Sequence, residues 1–562
     1  MPIANPGPLP WVSGLTIGRV LEQTVSAHPD RDALVFPALG LRWAWTEFSQ
    51  RVERVARALF ALGVARGEHV GIWSMNAPEW VVTQFAAARL GAVLVNVNPA
   101  YRLFELEDAL RLADVATLVV GSAFKSSDFV GMVHSVCPEV AAASDREWSS
   151  ERLPSLKRLI ALGDQPGPGW LSWNDLEAGP ACALEDLDCR QRQLAASDVV
   201  NVQFTSGTTG LPKGAMLTHG NLLMNAYYVG QRLRYTAEDR VCVPVPFYHC
   251  FGCVLGNMVC AVYGATIVVP APAFDPGATL AALAAERCTS VYGVLTMFVG
   301  MLEHSDFPRC NLSSLRTGIM SGAPCPLPLM EKVVSVMGAR EVCIGYGQTE
   351  ASPIITFTSA DDPIEVRCGT VGRPIPGVEV KLVDPANRAD SPPGEPGELA
   401  ARGHAVMGGY YKSPAATARA IDREGWLYTG DLARRRDDGN YRIVGRCKEQ
   451  INRGGEKIHP AEVEEFLHHH PDVAEVAVLG LPDAKFGEIV AAWIVPRAGA
   501  SLSPEAIQSY CRGQITHFKI PQHIAIVQSL PRTVTGKVRK HVLKAQAIAE
   551  LGLGDVAAVQ TA

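Results

Sequence analysis

The residues best suited to chemistry form a loop of small and hydroxyl-bearing side chains, FTSGTTGLPKG at residues 204–214. Consecutive Gly, Thr and Ser residues can direct several backbone N–H groups and hydroxyls at one anion, because glycine leaves room for close approach. The sequence therefore predicts a polyphosphate ligand. A flexible surface linker is the alternative, but a linker rarely follows a buried strand. The hydroxyl donors of the loop are Thr205, Ser206, Thr208 and Thr209.

The loop does not have the Walker spacing, GxxxxGK[ST]. The position five residues after Gly207 is Pro212, and Lys213 is followed by Gly214 rather than by Ser or Thr. We therefore expect a phosphate loop of another kind, in which the role of Lys213 is an open question.

The elements that position this loop are predicted from hydrophobic periodicity. Residues 199–204 are β-branched and apolar enough for a strand. Upstream, a helical pattern at 47–64 precedes a strand at 69–73, a helix at 79–90 and a strand at 92–98, and the last three elements form a βαβ unit. Such alternation is typical of doubly wound parallel sheets, so we expect an α/β fold.

The C-terminal half changes character twice. From about residue 369 to 443, short strands with Gly-Pro turns predict a small β-barrel. After Gly445, alternating helix and strand patterns predict a compact, mobile α+β module. The predicted division is an N-terminal domain at 1–446, a hinge at 447–449 and a C-terminal domain at 450–562.

Composition excludes several classes of function. A net charge of −6 without charged blocks argues against a nucleic-acid partner. No apolar run reaches the length of a membrane helix, and the first ten residues do not resemble a secretory signal. The fourteen cysteines are scattered, as expected for reduced thiols in the cytoplasm, with peripheral membrane association left open. The CxxC pair Cys250 and Cys253 is interpreted as buried small side chains rather than a metal site.

With these residues in view, the sequence resembles the AMP-forming acid ligases, the family of acyl-CoA synthetases, firefly luciferases and adenylation domains of peptide synthetases. The NVNPAYR segment at 96–102 is similar to medium-chain and broad-range fatty acyl-CoA synthetases in particular. The blocks that carry the family resemblance are TSGTTGLPKG at 205–214, SGAP at 321–324, GYGQTE at 345–350, GWLYTGD at 425–431, GRCKEQINRGGEKIHPAEVE at 445–464 and PRTVTGK at 531–537.

The resemblance implies a two-step reaction with ATP, Mg²⁺ and coenzyme A. A carboxylate attacks the α-phosphate of ATP and releases pyrophosphate, and the coenzyme A thiolate then attacks the acyl-AMP and releases AMP. Two anions must meet in the first step, and the resemblance assigns the cation between them to Lys537, with Lys213 as a helper near the β- and γ-phosphates.

The resemblance also implies a set of site residues. The catalytic residues would be Lys537, Thr205, Thr349, Glu350 and His249, with Glu350 as the Mg²⁺ ligand. Tyr346 would stack on adenine, and Asp431 would accept from the ribose hydroxyls. The ATP/AMP-binding residues would be Thr205, Ser206, Gly207, Thr208, Thr209, Gly210, Leu211, Pro212, Lys213, Gly322, Ala323, Pro324, Gly345, Tyr346, Gly347, Gln348, Thr349, Glu350, Asp431, Arg446 and Lys537.

The second step would require a domain rotation about Lys448, so that Lys537 leaves the site and coenzyme A enters. Asn452 stands where luciferases and coumarate-type ligases carry a lysine, which weakens a luciferase interpretation. The residues expected to contact the acyl group or coenzyme A are Tyr248, His249, Val294, Phe298, Met320, Gly454 and Gly455.

Three alternatives remain open at this point. The acyl group could pass to a free-standing carrier protein rather than to coenzyme A, the acid could be aromatic or alicyclic, or the chain could bind nucleotide without catalysis. The PRTVTGK context also resembles sites at which a lysine acetyltransferase neutralises the catalytic lysine, here Lys537.

Overall fold

The computed structural model describes residues 9–553, apart from residues 122, 125–126, 206–211, 323–324, 448, 454–455, 484–485, 513, 516 and 534–535. The chain divides into two compact units. Unit 1 comprises Met1–Glu379 and Ala401–Leu427, and unit 2 comprises Val380–Ala400 and Tyr428–Ala562. The predicted hinge at 447–449 stays a prediction, and its central residue, Lys448, lies outside the described residues.

Helices occur in both units. Those of unit 1 are α1 (Ile17–Ala27), α2 (Trp45–Ala61), α3 (Pro78–Leu90), α4 (Leu103–Leu112), α5 (Phe129–Val136), α6 (Pro138–Ala141), α7 (Trp173–Ala178), α8 (Leu184–Arg192), α9 (His219–Arg232), α10 (Cys250–Gly252), α11 (Val259–Tyr263), α12 (Pro276–Ala285), α13 (Leu295–Leu302), α14 (Leu327–Ser335), α15 (Ile364–Gly369) and α16 (Pro414–Ala420). Those of unit 2 are α17 (Pro460–His468), α18 (Pro504–Cys511) and α19 (Lys540–Glu550).

The strands lie between these helices, singly or in runs of two or more. The first eighteen, all in unit 1, are β1 (Asp32–Phe36), β2 (Leu41–Ala44), β3 (His69–Trp73), β4 (Val93–Asn96), β5 (Thr117–Val120), β6 (Ala123–Phe124), β7 (Ser127–Asp128), β8 (Arg158–Ala161), β9 (Leu171–Ser172), β10 (Val199–Thr205), β11 (Lys213–Thr218), β12 (Arg240–Cys242), β13 (Thr266–Val268), β14 (Ser290–Gly293), β15 (Thr317–Ser321), β16 (Glu341–Gly347), β17 (Ile354–Phe357) and β18 (Arg373–Pro374). The rest are β19 (Val378–Val383), β20 (Gly397–Gly403), β21 (Leu427–Arg435), β22 (Tyr441–Arg446), β23 (Ile451–Arg453), β24 (Glu456–Ile458), β25 (Val473–Asp483), β26 (Gly487–Pro496) and β27 (His523–Ile526).

Unit 1 contains two large sheets. One runs in the order β18-β17-β16-β15-β14-β12-β13-β1-β2 and the other in the order β11-β10-β4-β3-β5-β8-β9. The inner strands pair in parallel, while β10–β11 and β16–β17 pair antiparallel. The predicted α/β fold with doubly wound sheets is confirmed.

The predicted βαβ unit is confirmed at the level of side chains. Helix α2 ends at Ala61, near the end of the helical pattern predicted at 47–64. Strands β3 and β4 are parallel neighbours, and α3, which connects them, is buried along nearly its whole length. The apolar residues at helical spacing that are buried on α2 are Val52, Val55, Ala56 and Leu59.

Hydrophobic clusters hold each large sheet of unit 1. Trp73 of β3 stacks on Phe129 of α5 with ring centroids 4.0 Å apart, and both rings are fully buried. The second cluster includes Phe298 of α13 and Met320 of β15, also fully buried. These clusters fix the strand ends from which the candidate site residues project.

Unit 2 contains two further sheets. The segment at about 369–443, predicted as a small β-barrel, contributes to a four-stranded sheet in the order β19-β20-β21-β22. The remaining strands follow the order β24-β23-β26-β25, with β27 parallel to β26. Helix α17 packs against β25, and Leu543 and Ala547 of α19 join the side chains of β25 and β26 in a separate apolar cluster. The predicted α+β character of this region is confirmed.

Two further features concern the apolar character of the helices and the state of the cysteines. Among the described residues, no helix combines the length and the apolar character that crossing a bilayer requires. All fourteen cysteines are free thiols, as the scattered spacing predicted.

Candidate active site

The β10–β11 hairpin holds both ends of the predicted phosphate loop. Thr205 is the last residue of β10 and pairs with Lys213, the first residue of β11. The Thr205 hydroxyl donates a hydrogen bond to the carbonyl oxygen of Lys213 at 3.5 Å. Pro212 is half-buried beside Lys213. The hairpin therefore fixes the residues that flank the loop, whereas Ser206, Gly207, Thr208, Thr209, Gly210 and Leu211 lie outside the described residues.

The two other nucleotide motifs of unit 1 meet at the ends of parallel strands. Ser321 of β15 pairs with Gly345 of β16, and the Ser321 hydroxyl donates to the carbonyl oxygen of Gly345 at 2.8 Å. Gly322 follows with φ +97°, a left-handed conformation that glycine adopts readily. Ligands of open α/β sheets bind at such carboxyl ends. Ala323 and Pro324 lie outside the described residues.

The GYGQTE motif turns sharply after β16. Tyr346 and Gly347 end the strand, and Gln348 precedes a single 3₁₀ turn, Thr349–Ala351. A Cβ on Gly347 would lie 1.8 Å from the carbonyl oxygen of Pro353, so only glycine fits there. This close approach brings Thr349 and Glu350 into a fixed turn at the strand end.

Glu350 lies in a cluster that joins two motifs. Its carboxylate is buried, and the Tyr410 hydroxyl donates to Glu350 Oε1 at 2.8 Å. Lys213 Nζ lies 5.4 Å from the centre of the Tyr410 ring, within the range of a cation–π contact. Burial, together with the neighbouring carboxylate, raises the pKa of Tyr410, so the phenol remains a donor. Lys213, Tyr410 and Glu350 therefore form one charged group beside the loop.

Tyr410 is a site residue that the sequence did not predict. It follows Glu350 by sixty positions and belongs to none of the motifs that resemble the family. The GGYY segment at 408–411 offered a weak signal, since aromatic residues after two glycines suggest a turn that presents a ring. Its pairing with Glu350 is visible only in the fold.

His249 is held as a neutral ring with a defined tautomer. The Phe251 backbone N–H donates to His249 Nδ1 at 3.2 Å, which makes His249 the N-cap of the short helix α10. Burial lowers the pKa of His249 from 6.5 to about 4. Because Nδ1 accepts a hydrogen bond, the proton of the neutral ring resides on Nε2. The ring therefore offers an uncharged N–H donor.

This state predicts the pH dependence of activity. Since the pKa of His249 lies at about 4, the ring stays neutral down to about pH 5 and contributes no inflection near its ordinary value. We expect His249→Gln, which keeps a neutral N–H donor, to change the rate of acid-dependent pyrophosphate release but not the shape of its profile between about pH 5.5 and 8. A wild-type inflection near pH 6.5 that disappears in the variant would contradict the assigned state.

The remaining predicted acyl residues fall into two groups. The Tyr248 hydroxyl is buried without a hydrogen-bond partner among the described residues, and burial raises the pKa of Tyr248 to about 12. Val294 precedes α13, and its Cγ1 would lie 3.3 Å from a Cβ on Gly322, which places it beside the SGAP turn. Phe298 and Met320 instead lie in the hydrophobic core. Their acyl-binding role stays a prediction.

Unit 2 brings its three predicted nucleotide residues together. Asp431 and Arg446 are paired across β21 and β22, and Arg446 Nε lies 2.9 Å from Asp431 Oδ1. The Lys537 side chain retains exposed surface, yet surrounding protein atoms and the Arg446 charge lower the pKa of Lys537, while Asp431 and Glu449 oppose that shift. The charges of Asp431 and Arg446 therefore act on the Lys537 amine.

The turn that presents Lys537 is stabilised locally. The Thr533 backbone N–H donates to the carbonyl oxygen of Lys537 at 2.8 Å, and the Lys537 backbone N–H donates to Thr533 Oγ1 at 3.1 Å. Gly536 has φ +81°, which suits the turn. The predicted coenzyme A residues Gly454 and Gly455 lie outside the described residues.

The donors available in unit 1 fit a magnesium ion bound largely by its ligand. Among the residues that the structure describes, no group of three His, Cys, Asp or Glu side chains is arranged to hold a metal. Magnesium bound to nucleotides commonly uses one or two carboxylates, with phosphate oxygens and water completing the shell. The buried carboxylate of Glu350 meets that requirement.

Comparison with known proteins agrees with this geometry. The model of the AMP-binding enzyme family matches residues 21–411, and the model of the AMP-binding enzyme C-terminal domain matches residues 462–537. The Bacillus subtilis (strain 168) protein YngI is 45% identical over 534 residues, 95% of this chain and 97% of its own. The medium-chain acyl-CoA ligase ACSF2, mitochondrial, of Danio rerio is 42% identical over 540 residues, 96% of this chain and 89% of its own.

Two solved structures have a similar fold over nearly the whole chain. The anthranilate CoA ligase AuaEII in complex with anthranoyl-AMP has a TM-score of 0.83 at 26% identity, covering 96% of this chain and 98% of its own. ATP-bound MatB from Rhodopseudomonas palustris has a TM-score of 0.82 at 28% identity, covering 95% of this chain and 99% of its own.

Proposed function

Since the chain belongs to the AMP-binding enzyme family, we propose that it joins a medium-chain fatty acid to coenzyme A through an acyl-AMP intermediate. The enzyme is an AMP-forming acid–CoA ligase that uses ATP, Mg²⁺ and coenzyme A. The choice of a medium-chain acid is supported by the NVNPAYR segment and by the name of the ACSF2 relatives. An apolar run around the predicted acyl residues, FYH at 247–249 and VYGVLTMF at 291–298, also suits a hydrophobic acid.

The observation that carries the proposal is the Lys213–Tyr410–Glu350 group next to the strand ends of unit 1. The Lys213 ammonium lies over the Tyr410 ring, and the Tyr410 hydroxyl donates to the buried Glu350 carboxylate. Both contacts lie beside the hairpin that holds the loop. Phosphate oxygens require the cation, and a phosphate-bound magnesium ion requires the carboxylate. A site that only bound an acid in a hydrophobic cleft would require neither the cation nor the carboxylate.

We assign the remaining residues to roles in the first step. Thr349 would donate a hydrogen bond to the α-phosphate, where charge develops as the carboxylate oxygen forms its bond to phosphorus and pyrophosphate departs. Thr205 would donate to the same phosphate after its hydroxyl turns from the Lys213 carbonyl oxygen. Lys213 would contact the departing phosphates. His249, with its Nε2–H, would donate to the acid carboxylate. Magnesium, when bound at Glu350, neutralises phosphate charge.

The roles in unit 2 follow from its own group of charges. The Asp431 carboxylate can accept from both ribose hydroxyls, and Arg446, 2.9 Å away, holds that carboxylate in place. Lys537 would lie between the two reacting anions in the first step and withdraw for the second. In the second step the coenzyme A thiolate forms a bond to the acyl carbon, and the bond from that carbon to the AMP oxygen breaks. Lys448 would be the pivot, and Gly454 and Gly455 would face the pantetheine arm.

Two finer assignments concern modification and location. A lysine acetyltransferase acting on Lys537 would remove its charge and with it the first step. A cytoplasmic location suits a chain whose cysteines are all free thiols.

A pyrophosphate-release screen tests the substrate proposal. We expect straight-chain acids of about six to twelve carbons to give the highest kcat/KM, because each buried methylene contributes about 0.8 kcal/mol until the pocket is filled. Benzoate and cyclohexane carboxylate are the aromatic and alicyclic acids with which the straight-chain acids are compared. Thioester yield with free coenzyme A is then compared with that from a phosphopantetheinyl carrier protein. Preference for an aromatic acid, or for the carrier, would overturn the proposed substrates.

A further inference from the structure

Cys250, one half of the CxxC pair, occupies the space between two proposed site residues. Its Sγ lies 3.8 Å from Thr349 Oγ1 and 3.6 Å from His249 Nδ1, both within reach of a sulfur hydrogen bond. The side chain is 2% exposed. The thiol therefore connects the histidine assigned to the acid carboxylate with the threonine assigned to the α-phosphate.

The second cysteine of the pair, Cys253, connects the same turn to a sheet. Cys253 Sγ accepts hydrogen bonds from Gln203 Nε2 at 3.3 Å and from Asn96 Nδ2 at 3.5 Å. Asn96 Nδ2 also donates to the carbonyl oxygen of Tyr248 at 3.1 Å. Since Asn96 and Gln203 belong to β4 and β10, the turn at 248–253 is fixed to the sheet that carries Thr205.

The direction of the Cys250 hydrogen bond follows from its neighbours. His249 Nδ1 has one lone pair in the ring plane, and it already accepts the Phe251 N–H at 3.2 Å. The better acceptor left for the thiol proton is Thr349 Oγ1. Burial raises the pKa of Cys250 to about 12, so the thiol keeps that proton across the physiological range.

We propose that Cys250 is a positioning residue whose S–H donates to Thr349 Oγ1, so that the Thr349 hydroxyl proton is directed at the α-phosphate. A threonine hydroxyl carries one proton and two lone pairs. When the thiol occupies a lone pair, the hydroxyl cannot rotate to donate into the thiol and is left as a donor to the ligand. This role rests on the proposed function of Thr349 in adenylation.

The test compares Cys250→Ala and Cys250→Val, which lack the donor, with Cys250→Ser, which keeps one. Cys250→Val also fills the space, so a cavity effect is separated from loss of the donor. Cys260→Ala is the matched control, since Cys260 is fully buried in α11 and its Sγ lies 3.9 Å from the carbonyl oxygen of Thr266. Thermal unfolding verifies that each variant is folded.

We expect both donor-free variants to lower kcat for acid-dependent pyrophosphate release by about three- to tenfold, the usual range for one neutral hydrogen bond. The KM for the acid and the conversion of supplied acyl-AMP to thioester should be unchanged. Cys250→Ser should fall between wild type and Cys250→Ala, and Cys260→Ala should match wild type.

The double variant Cys250→Ala/Thr349→Val gives the sharpest comparison. If the thiol acts through the Thr349 hydroxyl, the double variant loses no more activity than Thr349→Val alone. Losses that multiply, or a wild-type rate for both donor-free variants, would overturn the positioning role while leaving the proposed function intact. A wild-type protein without acid-dependent pyrophosphate release would overturn both.

Discussion

Lys537→Ala should abolish acyl-AMP formation and leave conversion of supplied acyl-AMP to acyl-CoA at the wild-type rate. Two unit negative charges about 4 Å apart repel by roughly 4 kcal/mol at an effective dielectric constant of about 20. A cation between them offsets a barrier of that size, which corresponds to about a thousandfold in rate. The second step joins a thiolate to a carbonyl carbon and does not need that cation.

The two half-reactions are measured separately. Acid-dependent pyrophosphate release reports the first, and thioester formation from synthetic acyl-AMP and coenzyme A reports the second. Lys544→Ala is the matched control, because Lys544 lies in the same unit and its Nζ pairs with Glu488 at 3.1 Å. Equal losses in both half-reactions for Lys537→Ala would contradict the assignment.

The lowered pKa of Lys537 adds a prediction about alkaline pH. The protonated amine is the active form, and surrounding protein together with Arg446 moves its pKa below the ordinary value of 10.5. Pyrophosphate release should therefore decline as the pH rises through this lowered pKa, earlier than an ordinary lysine would give. Lys537→Arg, whose guanidinium stays charged, should extend the active range upward at a reduced rate. If pyrophosphate release by Lys537→Arg declined at the same alkaline pH as that of the wild type, Lys537 would not be the group that sets this decline.

Glu350→Gln should lower pyrophosphate release by at least about a hundredfold and raise the concentration of Mg²⁺ needed for half-maximal activity. The substitution keeps the shape of the side chain but removes the charge that makes a carboxylate a good ligand for magnesium. Loss of one preorganised electrostatic group at a reacting phosphate typically costs about two to three powers of ten in rate.

Tyr410→Phe is the matched control for Glu350. It leaves the carboxylate in place and removes only the hydroxyl that donates to Glu350 Oε1 at 2.8 Å. We expect a loss of about tenfold, the lower end of the scale for a single hydrogen bond to a charged group, with a modest change in Mg²⁺ dependence. If Glu350→Gln showed the Mg²⁺ dependence of the wild type, the carboxylate would not be the metal ligand.

Local sequence signals predicted the elements around the site well. Helix α2 was predicted from apolar residues at helical spacing, because burial of one helix face leaves a periodic pattern. The βαβ unit that follows was predicted from the short apolar runs of β3 and β4 on either side of the helical segment α3. The strand before the loop was predicted for the same reason. Family motifs then indicated Thr349, Glu350, Asp431 and Lys537 as candidate site residues without any structure.

Contacts between segments that are distant in the sequence could not be predicted from such local signals. Tyr410 reaches Glu350 across sixty positions, and Cys250 reaches Thr349 across ninety-nine, so neither pairing leaves a periodic pattern. The CxxC spacing suggested only small buried side chains, whereas the fold gives each thiol a polar partner. Unit 2 likewise includes Val380–Ala400, a segment that the sequence grouped with the residues before it, because sheet membership depends on pairing rather than on local composition.

Transfer of carboxylate oxygen to AMP tests the central claim most directly. The acid is supplied with oxygen-18 in both carboxylate oxygens, together with ATP, Mg²⁺ and coenzyme A, and the products are analysed by mass spectrometry. An acyl-AMP intermediate predicts one labelled oxygen in each AMP, because the oxygen that attacked phosphorus stays there when the thiolate breaks the acyl carbon–oxygen bond. Unlabelled AMP, or label in orthophosphate accompanied by ADP, would contradict the two-step ligase account.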